Sequence, residues 1–91
     1  MRIDEIIRRN YDSAVRRGQI TQQSTVADFL AKTDEEVQEL KDSTLTGSKI
    51  NPFDPKEAVD IILVQTAMLF HYGYDTKRIM KEKMLYNEKR K

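Results

Sequence analysis

Residues 54–75 read DPKEAVDIILVQTAMLFHYGYD, and this stretch decides the fold. Asp54 stands where a helix N-cap belongs, Pro55 takes the first helical position, and Glu57 follows three residues after the cap. The runs Ile61-Ile62-Leu63-Val64 and Ala67-Met68-Leu69-Phe70 then make the segment apolar nearly all round. A helix that is apolar on every side must be central, with neighbours on several faces. Gly73 closes it after about His71–Tyr72, and Asp75 caps a further helix over about Thr76–Lys89. Upstream lies a loop, Leu45–Phe53, carrying Gly47 and the Asn51-Pro52 turn signal. Before it, Val26, Phe29, Leu30, Thr33, Val37 and Leu40 recur at helical spacing and predict one helix from about Ser24–Thr25 to Ser43. Thr33 and Glu36 could instead form a capping box that restarts the helix. The first segment, about Ile3–Arg17, sets Ile3, Ile6, Ile7, Asn10 and Ala14 on one side and arginines opposite, and Gly18 ends it. The expectation is a single all-α, four-helix bundle-like domain spanning residues 1–91.

Composition agrees with that reading and narrows the function. The 91 residues hold three Gly and two Pro, too few for a turn-rich β fold. There is no cysteine, which excludes a disulfide framework and thiolate metal sites and fits a reducing, cytoplasmic setting. The first ten residues, MRIDEIIRRN, are too charged for a signal peptide, and no apolar run approaches the ~18 residues of a membrane span. The net charge of +1 gives no overall signal for nucleic acid or membrane. Its distribution is uneven: residues 1–20 sum to +2, 21–48 to −4, 49–75 to −2 and 76–91 to +5. A chain this short buries only roughly 60–65% of its unfolded surface, so a homodimer or homotetramer is expected to complete its core.

The informative residues are polar ones where packing wants apolar ones. Lys32, Glu36, Glu39 and Ser43 form a stripe along the edge of the second helix's apolar face, which puts Glu36 at the core boundary. On the third helix Glu57 and Asp60 share a face, and Asp60 is surrounded by apolar neighbours. Burying such a carboxylate unpaired costs several kcal/mol. The two helices are joined by a loop short enough to make them antiparallel neighbours, so Glu36-x-x-Glu39 and Glu57-x-x-Asp60 can face each other. Four carboxylates at close range repel unless a divalent cation sits among them. An all-oxygen donor set without Cys or His selects a hard ion, Mg²⁺ or Mn²⁺. His71 lies about 16 Å along the axis from Asp60 at ~1.5 Å per residue and reads as a helix-end residue. On the fourth helix Lys83 and Asn87 sit between apolar positions, and with Arg90 they make a candidate reader of phosphate and base edges. Each feature also has a plainer account. Glu57 could complete a capping box, Glu35, Glu36 and Glu39 could be solvated partners of Lys32 and Lys41, and Lys83 and Asn87 could be ordinary helix-end surface. A nucleic-acid contact through Lys89, Arg90 and Lys91 is not expected, since no aromatic residues interleave them.

Three ordered elements, Glu36-x-x-Glu39, Glu57-x-x-Asp60 and Lys83-x-x-x-Asn87-x-x-Arg90, make residues 25–90 resemble the MazG-like all-α nucleoside triphosphate pyrophosphohydrolases. That superfamily also holds dimeric dUTPases and phosphoribosyl-ATP pyrophosphohydrolases, and the Lys83/Asn87 element is closer to the MazG-like branch. The seventeen residues between Glu39 and Glu57 are within the family's range. The resemblance implies a MazG-type fold and Mg²⁺ held by Glu36, Glu39, Glu57 and Asp60. It implies that Glu36 or Glu39 orients or deprotonates a water attacking the α-phosphorus. It implies triphosphate or nucleotide contacts from Lys83, Asn87 and Arg90, with Lys32 a further candidate. The chain has no Trp where many relatives set an aromatic ring beside the base; Tyr11 or Phe29 could serve. The competing expectation is a non-catalytic helical interaction or regulatory protein of the same fold.

Overall fold

The computed structural model describes residues 1–90, so Lys91 of the basic tail lies outside it. Four helices follow in order: α1 (Ile3–Arg16), α2 (Val26–Leu45), α3 (Pro55–His71) and α4 (Thr76–Glu88), with no strand among the described residues. The boundaries are set by local chemistry. Thr25 and Asp28 form a capping box at the start of α2. The Asp54 side chain accepts from the Lys56 backbone N–H, and the Asp75 side chain accepts from that of Arg78. Gly18 and Gly73, at φ of 74° and 77°, end α1 and α3 in the left-handed region that glycine enters without strain. Thr33 starts no new helix. Its hydroxyl donates to the Phe29 carbonyl at 2.8 Å inside an unbroken α2.

As its sequence predicts, α3 is the central element. It packs most extensively on α2, then on α1, and more lightly on α4. Two hydrogen bonds fix the α2–α3 register. Gln65 donates to the Thr33 hydroxyl at 2.7 Å, and the Asp54 N–H donates to Ser43 Oγ at 3.1 Å. Residue 33 therefore pairs with 65 and residue 43 with 54, an antiparallel hairpin. Asn10 of α1 donates to the Leu63 carbonyl at 3.3 Å on the other flank. Gly47 lets the connecting loop turn tightly, since a Cβ there would collide with the Pro52 carbonyl.

The core is small. Ala14, Ile20, Phe29 and Ala67 form one buried cluster, with Tyr11 and Met68 packed against it. No described side chain is completely buried, and Val59 and Ile62 of the central helix are 49% and 57% exposed. On α1, Ile7 and Ala14 are buried while Ile3 and Ile6 stand in solvent, so only part of the expected apolar face is covered. The Cα radius of gyration is 15.1 Å, against about 12 Å expected for a compact domain of this length.

His71, the last residue of α3, links that helix to α1 and to the segment before α2. Its Nδ1 lies 2.8 Å from the Tyr11 hydroxyl and its Nε2 3.1 Å from the Ser24 carbonyl. The neutral tautomer with Nε2–H donating to Ser24 and Nδ1 accepting from Tyr11 satisfies both bonds. The ring also packs against Phe29, with centroids 5.2 Å apart. Replacing His71 by Leu leaves the Tyr11 hydroxyl and the Ser24 carbonyl without this partner. The expected loss is about 1–3 kcal/mol in urea unfolding, with helix content unchanged by circular dichroism.

Candidate metal centre

The α2–α3 hairpin brings both carboxylate pairs together. Glu36, Glu39, Glu57 and Asp60 each offer an oxygen, and these four oxygens all lie within 4.8 Å of one another. Two unit charges at that separation repel by about 1 kcal/mol in bulk water and roughly 3–4 kcal/mol at an effective dielectric of 20. The cluster is held against this repulsion by the packing of α2 on α3 around it.

Burial falls on a different residue from the one the sequence favours. Asp60, expected to be enclosed by apolar neighbours, reaches solvent along one side. The most buried member is Glu36, only 7% exposed. The reason lies in the helix arrangement. Both side chains border the cleft left between α1 and α2, which make no close backbone approach, but Glu36 is covered within the α2–α3 seam while Asp60 keeps more exposure. Glu36 Oε1 meets Lys32 Nζ at 3.2 Å, but Glu36 Oε2 is buried without a hydrogen-bond partner. Glu57 Oε2 is buried and unpartnered as well. The capping-box account of Glu57 is also removed, because the Asp54 N–H that such a box would use is given to Ser43. Two orphaned carboxylate oxygens inside a four-carboxylate cluster are unusual, since buried polar atoms are nearly always paired. The donor set, all carboxylate oxygen and partly enclosed, fits a hard divalent ion.

Lys32 is the one basic side chain in contact with the cluster among the described residues. It bridges Glu36 and Glu35, each at 3.2 Å. Donating to the Glu36 carboxylate, then to that of Glu35, holds the Lys32 ammonium above a lysine's ordinary 10.5. Glu35 is therefore a solvated helix partner of Lys32, as the plainer account of this stretch has it, while Glu36 is not solvated.

Beside the cluster, a cleft of about 600 Å³ runs between α1 and α2. It is lined by the apolar Phe29, Leu63 and Val64; Arg17 and Lys32 supply positive charge, and Asp28, Glu35, Glu36 and Asp60 negative charge. Of the two aromatic candidates for a base contact, Phe29 lines this cleft, whereas Tyr11 is turned to His71. Arg17 and the cleft itself are absent from any sequence motif; only the separation of α1 from α2 reveals them. Lys83, Asn87 and Arg90 do not line the cleft. Lys83 and Asn87 are exposed on α4 and Arg90 just beyond its end; α4 makes no close approach to α2, and Lys83 Nζ lies 4.8 Å from the Tyr86 ring centroid. Comparison of the chain with family models, curated proteins and solved structures returns no match. No helix among the described residues is long and apolar enough to cross a membrane.

Two outcomes follow from this geometry. Asp60→Asn removes one like charge, so in chelator it should raise unfolding stability by about 1 kcal/mol while weakening any stabilisation by Mn²⁺. Because the folded pKa of Lys32 is raised, its pairing contributes fully below the ordinary 10.5 and is lost as pH rises through the higher folded value. Wild type should therefore lose its melting-temperature advantage over Lys32→Met in metal-free buffer as pH climbs above about 10.5, by a small amount given the lysine's exposure.

Proposed function

We propose that this protein is a Mg²⁺-dependent nucleoside triphosphate pyrophosphohydrolase of MazG type, with Mn²⁺ as an alternative ion. It would cleave a ribo- or deoxyribonucleoside triphosphate to the monophosphate and pyrophosphate. The observation that carries this reading is the convergence of Glu36, Glu39, Glu57 and Asp60 with two buried carboxylate oxygens left unpartnered. These four residues would hold the ion. Bound there, a divalent ion supplies positive charge against phosphate oxygens and acidifies a water.

The remaining work falls to the chain's own side chains. Glu39, the more exposed of the α2 pair, is accessible to solvent and would orient the attacking water and take its proton, with Glu36 sharing that role. The water oxygen forms its bond to the α-phosphorus as the bond to the bridging oxygen breaks, and pyrophosphate leaves with that electron pair. Lys32, at the edge of the cleft, would offset charge on the phosphate chain. The cleft beside the cluster is of a size to seat a nucleoside.

Lys83, Asn87 and Arg90 remain the proposed contacts to the phosphate chain. Since α4 makes no close approach to α2 within the chain, their contribution is assigned to a site shared between two protomers of a homodimer or homotetramer. The exposed Val59 and Ile62 and the expanded radius of gyration support an assembly that covers the open face of α3.

A second reading is favoured by the Lys32–Glu36 pair, which already neutralises one cluster member: a non-catalytic helical interaction protein of the same fold. Activity separates the two. With Mg²⁺ and inorganic pyrophosphatase, phosphate release from a panel of nucleoside triphosphates should be detectable by malachite green. It should fall at least a hundredfold in Asp60→Ala and in Glu39→Gln, with both variants folded. A folded wild type that is silent across the whole panel ends the catalytic reading.

A further inference from the structure

We propose that Lys32 is a placeholder cation, whose ammonium neutralises the buried Glu36 carboxylate until a divalent ion takes that carboxylate over and releases the ammonium into the neighbouring cleft. The proposal rests on the metal-centre reading above. Glu36 is 93% removed from solvent, and a buried carboxylate without a counter-charge is costly. Lys32 is the only partner it has among the described residues, and it meets one oxygen while leaving the other free. Glu39, Glu57 and Asp60 have no ion pair among the described residues. A single ammonium thus offsets one of the four negative charges, whereas a divalent ion among them would offset two and be shared by all four carboxylates.

The exchange needs no backbone movement. Lys32 and Glu36 are one turn apart on α2, and the lysine side chain is 44% exposed, so its flexible stem has open space to swing into. Its second contact, Glu35, lies at the solvent rim and stays available after Glu36 is taken. The cleft that Lys32 lines also holds Arg17 amid the acidic Asp28, Glu35, Glu36 and Asp60, so an ammonium freed from Glu36 would join Arg17 as the cleft's second cation. Divalent-ion binding would in this way convert an internal counter-ion into a phosphate-facing one, coupling the loading of the centre to its readiness for an anionic ligand.

The test is a Mn²⁺ titration by calorimetry and thermal unfolding of wild type, Lys32→Met and Lys56→Met. The last removes a charge beside Glu57 in sequence but makes no ion pair among the described residues. In chelator, Lys32→Met should melt below wild type; at saturating Mn²⁺ the gap should close. Its Mn²⁺ Kd should tighten roughly three- to fivefold, the range expected for losing competition from a partly solvated ion pair, while Lys56→Met stays near wild type. A purely structural lysine would leave the melting gap the same with and without metal. An unchanged or weaker Kd in Lys32→Met, with wild type still responding to Mn²⁺, overturns the placeholder role and leaves the metal centre standing. Absence of any Mn²⁺ response in both proteins overturns the metal centre itself. A response confined to Lys32→Met supports the exchange. If Lys32→Met does not fold in chelator, Lys32→Gln, which keeps a donor for Glu36, is measured in its place against the same criteria.

Discussion

The packing of α2 against α3 holds like charges together. Along most of the seam the forces are ordinary: apolar side chains, a Gln65–Thr33 hydrogen bond and a Ser43–Asp54 hydrogen bond that lock the antiparallel register. Between those two bonds the same register sets four carboxylates within 4.8 Å. Nothing in the packing requires acids there. A register slip of one residue would turn one pair away by roughly 100° and relieve the repulsion, but it would also break both register bonds and expose the apolar stripe. The hairpin's stability is thus what keeps the acidic cluster assembled.

That constraint gives the protein a soft side and a firm side. The firm side is the junction of α1, the start of α2 and the end of α3, where Phe29, Ala14, Ile20 and Ala67 pack and His71 spans two hydrogen bonds. The soft side is α4 and the outward face of α3, where apolar residues remain exposed. Helices as short as α4 are marginal without tertiary packing, and only Thr76 at its N-terminal end is buried. This exposed face is the one that the proposed assembly would cover.

The charge asymmetry acquires a spatial meaning in this arrangement. The acidic middle of the chain becomes one hairpin, and the basic ends become α1 and α4 on the flanks of α3. Arg17 and Lys32 line the cleft together with Asp28, Glu35, Glu36 and Asp60, so both signs of charge meet within one cavity. Lys32 touches both the carboxylate cluster and the cleft.

By itself the sequence determined the helices and the identity of the carboxylates. Asp54-Pro55, Asp75 and Gly73 are local signals whose physics does not depend on the rest of the molecule, and an apolar run bounded by them can be read without coordinates. The two acidic pairs were legible for the same reason: spacing along one helix sets which side chains share a face. Burial was not legible. Asp60 has the apolar neighbours and Glu36 the charged ones, yet the fold encloses Glu36 more than Asp60, because exposure depends on how the helices pack and not on neighbours in sequence. The capping ambiguity at Glu57 was likewise resolved by a partner eleven residues before the cap, Ser43. The position of α4, the cleft and the role of Arg17 in it are long-range relations between segments, and no local pattern of side chains encodes them.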